Sequence, residues 1–182
     1  MKIKIKKEEI LAIILIIFAA ISRLLPHPAN FAPIAAVGIF SAFVFKNNYL
    51  KFIVPMVAML ISDALIGFYT PFVMISVYGS FAIAVLLGNY LKRHASILNG
   101  AGVALLSSIE FFVVTNLAVF LFTPQYDKSW QGLINCYFYA IPFFRNTILG
   151  DLFYTGVIFG LYFGIKYIFA LYKKSKMISR TN

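Results

Sequence analysis

Apolar segments close to membrane-spanning length follow one another along almost the whole chain. Charged residues, prolines and glycines separate these segments, which cover residues 10–25, 33–45, 52–69, 72–91, 96–122 and 148–172. An α-helix that crosses the hydrocarbon core needs about 20 apolar residues, and only helices or closed barrels satisfy every backbone hydrogen bond in lipid. The sequence therefore predicts an all-α integral membrane protein, a bundle of six spanning helices.

The rest of the sequence leaves no room for a soluble domain. Hydrophobic residues make up 62% of the chain and charged residues 12%, far from the averages of soluble proteins. A further apolar segment, 133–144, is too short to span, so we expect it to form an interfacial or re-entrant helix before the last span. Residues 1–182 are therefore predicted to form a single transmembrane domain.

The distribution of basic residues predicts the orientation in the bilayer. If six segments span, twelve of the sixteen lysines and arginines lie on one side together with both termini. These are Lys2, Lys4, Lys6, Lys7, Lys46, Lys51, Lys92, Arg93, Lys173, Lys174, Lys176 and Arg180. Basic residues are enriched in cytoplasmic loops, so this side is predicted to be cytoplasmic. The net charge of +10 then favours contact with anionic lipids and does not indicate binding to nucleic acid.

Three carboxylates lie within the apolar segments. Asp63, Glu110 and Asp151 are each costly in lipid unless they face a cavity, pair with a cation or carry a proton, which makes each a candidate functional residue. Asp63 and Asp151 are expected near the outer ends of their helices, at the level of Arg23 and Arg145, whereas Glu110 is expected near the middle. The acids and arginines of this layer can pair to hold the helices together, or they can face a ligand. Both interpretations stay open at this point.

Glycines recur with a helical spacing in the last segment. Gly156, Gly160 and Gly164 are four residues apart, which places them on one face and allows a neighbouring helix to approach closely. We expect this face to pack, either within this chain or against a partner.

The motifs of nucleotide and enzyme chemistry are missing from the sequence. It contains no G-x-x-x-x-G-K-[ST] loop for nucleotide phosphates and no H-E-x-x-H or G-x-S-x-G signature. One cysteine excludes a multi-cysteine metal site. We therefore expect a protein that is not an enzyme and that needs no cofactor or metal. Any ATP that its function consumes would be hydrolysed by another subunit.

Four stretches of the chain resemble an uncharacterised bacterial family of small six-helix membrane proteins described as transport proteins. They are "SRLLPHPANFAPIAAVGIF", "VPMVAMLISDALIGFY", "VYGSFAIAVLLG" and "AIPFFRNTILGDLFYTGVIFG". That family is more distantly similar to the S components of energy-coupling-factor (ECF) vitamin transporters. The resemblance implies a protein of the bacterial cytoplasmic membrane that binds a vitamin-like solute from outside. It also implies a separate membrane scaffold with ATPase subunits as partners.

The sequence and this resemblance together favour a membrane transport protein that takes up a small, vitamin-like solute. Polar contacts to the solute are expected from seven residues, namely Arg23, Asn30, Asp63, Asn116, Arg145, Asn146 and Asp151. Two alternatives stay open. One is a structural or assembly subunit whose glycine face docks a partner helix. The other is an intramembrane hydrolase in which Asp63 and Asp151 share a proton.

Overall fold

Six α-helices and one short 3-10 helix make up the computed structural model, which describes residues 6–178. They are α1 (Lys7–Ser22), α2 (Ile34–Val44), α3 (Asn48–Ile66), α4 (Pro71–Gly88), the 3-10 helix (Asn89–Lys92), α5 (Ile97–Phe122) and α6 (Trp130–Ile178). No strand occurs between residues 6 and 178. The predicted all-α fold with six helices is therefore confirmed.

Within the described residues, four helical stretches are long and apolar enough to cross a membrane. They are Asn48–Ile66, Pro71–Lys92, Ile97–Phe122 and Trp130–Lys176. Their outward faces are apolar: Leu65 and Ile75, for example, are 68% and 67% exposed. Large exposed apolar faces are rare on soluble monomers, and lipid chains would cover them here. The multi-pass membrane character follows from this combination.

Capping side chains and a glycine determine where several helices begin and end. The Asn47 side chain accepts a hydrogen bond from the Tyr49 amide at the start of α3 (2.8 Å), and Ser96 does the same for Asn99 at the start of α5 (3.0 Å). Gly67, with φ 117°, ends α3 in a conformation that L side chains rarely adopt. These short breaks reverse the chain between neighbouring helices.

Successive helices run in opposite directions, so the connections alternate between two ends of the bundle. Arg23 after α1 contacts Asp63 near the end of α3, which places the α1–α2 and α3–α4 connections at one end. At the opposite end Lys166 of α6 pairs with Glu8 of α1 across 3.1 Å, with both side chains partly exposed. The start of α1 and the second half of α6 therefore lie side by side.

The short helix α2 forms the centre of the bundle. Eight of its 11 residues are buried, Ile39 and Phe40 completely, and all five other α-helices contact it. At 1.5 Å per residue α2 is about 16 Å long, roughly half the thickness of a hydrocarbon core. Pro33 and Phe45, which flank α2, are both fully buried, so both ends of the helix lie inside the protein, where other elements must satisfy them. At its C-terminal end the Lys92 ammonium donates to the carbonyl oxygen of Phe45 (2.7 Å).

Glycine allows α4 to cross α2 with the two backbones almost in contact. A Cβ on Gly88 would lie 2.7 Å from both the Cα and the carbonyl oxygen of Ile39. One turn further along α2, the Cβ of Ala42 would be 3.0 Å away. No side chain larger than a hydrogen atom fits this crossing without displacing the backbone of α2.

Residues 133–144 do not form the separate short helix that we expected before the last span. They are the first part of α6, which continues through 49 residues and includes Pro142. The helix is about 74 Å long, so only part of it can lie within a bilayer. The expectation was wrong because the polar pair Arg145 and Asn146 was interpreted as the end of a helix. Arg145 is exposed on the surface of α6, and Asn146 bonds to a neighbouring loop, so neither residue interrupts the helix.

Gly88→Ala is expected to destabilise the protein by about 1–3 kcal/mol, because the added methyl group meets the backbone of α2. Gly79→Ala is the matched control, since a Cβ at that position of the same helix meets no described atom within 4 Å. Thermal unfolding of the two variants in mild detergent measures the difference. Equal midpoints would contradict the close crossing of α2 and α4.

Candidate functional site

A buried ion pair links the end of α1 to α3, at the start of the α1–α2 loop (residues 23–33). The Arg23 Nη2 atom lies 2.7 Å from Asp63 Oδ1, and the two side chains are 11% and 2% exposed. Arg23 Nη1 also donates to the Ser62 hydroxyl and lies 3.3 Å from the Met59 sulfur. Arg23 follows the C-terminus of α1, where a cation interacts favourably with the helix dipole. The expected pairing of acid and arginine is thus present for Arg23 and Asp63.

Two tyrosines complete the surroundings of Asp63. The Tyr78 hydroxyl, from α4, donates to Asp63 Oδ2 (2.8 Å), so both carboxylate oxygens have a partner. Burial raises the pKa of Tyr69, in the α3–α4 connection, to about 12, and the Asp63 carboxylate adds to the rise while Arg23 opposes it. Tyr69 therefore stays protonated at physiological pH. The Asp63 carboxylate therefore has all its partners within the protein.

Asp151 binds the N-terminal end of the central helix. Its Oδ1 accepts a hydrogen bond from the Ala35 amide at the start of α2 (3.1 Å), and its Oδ2 accepts one from the Ser108 hydroxyl of α5 (2.7 Å). Asp151 is 2% exposed. A carboxylate is stabilised at this position because the first amides of a helix lack partners within the helix and carry partial positive charge. The sequence therefore places an acid of α6 where the buried start of α2 needs one.

A small cavity of about 30 Å³ lies beside this carboxylate. Its lining consists of Asn30, Ala32, Ile34, Ala35, Phe111, Thr147 and Asp151. Between residues 6 and 178, Asn30 alone among non-glycine residues has a positive φ, of 62°. Strained backbone of this kind tends to occur at ligand sites and switch regions. A space of this size holds about one water-sized guest.

The α1–α2 loop lies directly over the cavity and packs on α6. The Asn146 side chain donates to the carbonyl oxygen of Ala29 (2.9 Å). Gly150 faces the loop so closely that a Cβ would lie 3.0 Å from the Ala32 nitrogen. The Phe31 ring is 5.8 Å and 5.7 Å from the rings of Phe153 and Tyr154. The loop is held mainly by apolar and close backbone contacts, with Asn146 as a polar link.

The seven predicted site residues fall into separate groups. Arg23 and Asp63 form the ion pair, while Asn30 and Asp151 line the cavity and Asn146 holds the loop above it. Two residues take no part in either group. Arg145 is exposed and makes no hydrogen bond or ion pair with the described part of the chain, and Asn116 donates to the Phe112 carbonyl of its own helix (2.7 Å).

The carboxylates of Asp63 and Asp151 do not form a pair. Asp63 bonds to Arg23 and Tyr78, whereas Asp151 bonds to Ser108 and the Ala35 amide. All four carboxylate oxygens therefore bond to other groups. The two acids do not share a proton as the acids of an aspartyl hydrolase do.

Several polar partners of these acids were not predicted from the sequence. Tyr78, Ser108 and Thr147 bond to an acid or line the cavity, and each belongs to a type that is common in apolar helices. Only the positions of these residues in the sequence could have indicated their roles. Ser108 and Glu110 belong to the polar cluster "SSIE", which could have drawn attention to both faces of α5.

A second, larger space opens between the start of α5 and the second half of α6. It is an apolar groove of about 550 Å³ whose lining includes Phe43, Gly100, Gly156, Phe159 and Gly160. Cβ atoms built on Gly156, Gly160 and Gly164 meet nothing within 4 Å in the described structure. The glycine face is thus not packed within the part of the chain that the structure describes.

Comparison with known proteins identifies a family without assigning an activity. Residues 3–172 match a family described as Family of unknown function (DUF6580). No curated protein and no solved structure matches the chain. The match agrees with the expected membership of an uncharacterised family, and the likeness to S components stays a prediction.

Asp63→Ala is expected to destabilise the protein by about 3–5 kcal/mol, because it leaves the Arg23 guanidinium buried without its counter-ion. Arg145→Ala, which removes an exposed arginine from the same predicted layer, should change the unfolding midpoint little. The double variant Arg23→Met/Asp63→Leu should recover much of the loss, since it removes both charges. Unfolding in mild detergent distinguishes these cases; an Asp63→Ala effect no larger than that of Arg145→Ala would refute the structural role of the pair.

Proposed function

The chain belongs to the DUF6580 family, and we propose that it is a membrane transport protein that takes up a small, vitamin-like solute from the outer side. In this proposal the solute binds in the cavity beside Asp151, and the α1–α2 loop covers it. The chain lies in the bacterial cytoplasmic membrane with both termini in the cytoplasm. A separate membrane scaffold with ATPase subunits supplies the energy.

The observation that carries this proposal is the small cavity at the buried end of a half-length helix, where three polar side chains interrupt a mostly apolar lining. Membrane transporters commonly bind substrates where a helix is interrupted within the bilayer, because the exposed helix end offers unpaired backbone groups to polar ligands. Here the start of α2 lies beside Asn30 of the α1–α2 loop and beside Thr147 and Asp151, which both belong to α6. Convergent polar groups in an otherwise apolar bundle favour ligand recognition.

The present cavity is smaller than a vitamin, so binding requires the α1–α2 loop to move. A volume of about 30 Å³ is far below the several hundred Å³ of a typical small-molecule site. The loop carries the strained backbone of Asn30 and is tied to α6 through the bond between Asn146 and Ala29. Release of that strain would offset part of the energy needed to open the loop. The structure described here then corresponds to the closed, unloaded site.

Asp151→Asn is expected to reduce uptake of the solute at least about tenfold, since hydrogen bonds to a charged group contribute roughly 1.5–3 kcal/mol. Host cells that express wild type or variant would be incubated in a mixture of vitamins and related small molecules, and mass spectrometry would measure which solutes disappear from the medium. Asp127→Asn, the same change at an exposed residue of the α5–α6 loop, is the matched control.

The measurement requires equal amounts of each variant in the membrane. A solute that wild type and Asp127→Asn deplete, but Asp151→Asn does not, supports the proposal. No solute with this pattern, or equal depletion by all three proteins, argues against uptake through this cavity.

The open glycine face favours a second candidate, an assembly subunit that docks a partner helix. Gly156, Gly160 and Gly164 present close-approach positions that the described chain leaves unfilled. Gly160→Leu should then remove a stoichiometric partner that co-purifies with wild type in mild detergent. Gly79→Leu, at an equally open glycine of α4 outside the groove, should retain it. A partner that survives both substitutions, or is missing from wild type, excludes docking on this face.

A further inference from the structure

Unpartnered polar atoms are concentrated at the interface of α4 and α5. Five buried side-chain atoms in the described residues have no hydrogen-bond partner, and four of them belong to Ser80, Ser107 and Glu110. Ser80 lies on α4 and is 2% exposed, while Ser107 lies on α5 and is 1% exposed. Buried polar groups are nearly always hydrogen-bonded, so a cluster of exceptions calls for a functional reason.

The three residues lie near the middle of their helices, where the two serines are buried and Glu110 is partly buried. Ser107 and Glu110 are three residues apart, and therefore neighbours on one face of α5. The Ser80 hydroxyl of α4 lies close to the Glu110 carboxyl, although the two groups do not form a hydrogen bond of normal geometry. Glu110 lies about 20 Å from the start of α5, near the middle of this 26-residue helix. A carboxylate at that depth needs a cation or a proton.

The titratable groups on the elements that pack against α5 are engaged elsewhere. Tyr78, the titratable residue of α4, bonds to Asp63. The groups of α6 that contact α5 are Asp151, Cys136 and Tyr137, which bond to Ser108, Asn116 and Val113. The central helix α2 contains no titratable residue. No lysine or arginine of the described chain forms an ion pair with Glu110.

We propose that Glu110 is a proton-binding site within the membrane, and that the Ser80 and Ser107 hydroxyls donate to its carboxylate when the proton leaves. A proton fits better than a metal cation, because the cluster offers few oxygen ligands and both carboxylate oxygens are already buried. Carboxyls of this kind act as proton relays in pumps and transporters. The site is separate from the cavity beside Asp151, so the inference goes beyond the proposed uptake and does not depend on it.

Carbodiimide labelling tests whether Glu110 carries a proton. Dicyclohexylcarbodiimide reacts with a protonated carboxyl: the acid's proton moves to a carbodiimide nitrogen, the carboxyl oxygen bonds to the central carbon, and an acyl shift gives a stable N-acylurea. Mass spectrometry of peptides from the full chain in mild detergent should show this adduct at Glu110, increasing as the pH falls. Asp63, paired with Arg23, is the internal control and should remain unmodified.

Infrared spectroscopy gives a second measurement that does not depend on access of the reagent. The C=O band of a protonated carboxyl should be present in wild type and weaker in Glu110→Gln, and its loss with rising pH gives the midpoint of proton release. Ser80→Ala and Ser107→Ala should each raise this midpoint by about one pH unit, equal to tenfold in proton affinity. Ser76→Ala is the matched control, because that hydroxyl donates to the Val73 carbonyl of its own helix (2.7 Å).

Three results would overturn the proposal. The first is the absence of both the adduct and the infrared band at Glu110. The second is suppression of the labelling by sodium ions at constant pH, which would identify a metal-cation site. The third is an equal midpoint for Ser80→Ala, Ser107→Ala and Ser76→Ala, which would show that the two hydroxyls take no part.

Discussion

A helix that begins and ends inside a membrane protein must find hydrogen-bond partners in the protein itself, because hydrocarbon offers none. The central helix α2 meets this requirement at both ends. Asp151 accepts from its first turn, and Lys92 donates to the Phe45 carbonyl just beyond its last turn. The 3-10 helix and α6 supply these side chains, so the positions of both elements are linked to α2. The packing of the bundle follows from enclosing this one short element.

The helix α5 carries polar residues on two faces, and the requirement of α2 explains one of them. Ser108 faces α6 and stabilises the carboxylate that caps α2. Ser107 and Glu110 form no hydrogen bond of normal geometry through their side chains within the described chain. The two adjacent serines therefore differ: Ser108 belongs to a complete hydrogen-bond network, whereas the Ser107 hydroxyl is unpartnered. A complete network contributes to stability, whereas an incomplete one leaves room for an exchangeable group.

The all-α fold and its six main helices could be predicted from the sequence because the apolar segments are separated by charged residues, prolines and glycines. The pairing of Arg23 with Asp63 could also be anticipated, since isolated charges in lipid must find each other. The continuity of α6 could not, because a polar pair such as Arg145 and Asn146 reads as a break whether or not the helix continues. Nor could the sequence show that Arg145 lies apart from Asp63 and Asp151, because helical spacing gives depth but not the direction in which a helix faces.

The near-contact of backbones at Gly88 has a consequence for motion. Because α2 and α4 meet without intervening side chains, neither can slide past the other without a steric clash. These two helices therefore behave as one rigid unit, and in the proposed uptake the α1–α2 loop is the element that moves. Free loops move in nanoseconds to microseconds, whereas the opening of a packed lid takes microseconds to seconds. Because the α1–α2 loop packs on α6, its opening in the proposed uptake would fall on the slower of these scales and would limit the rate of solute capture.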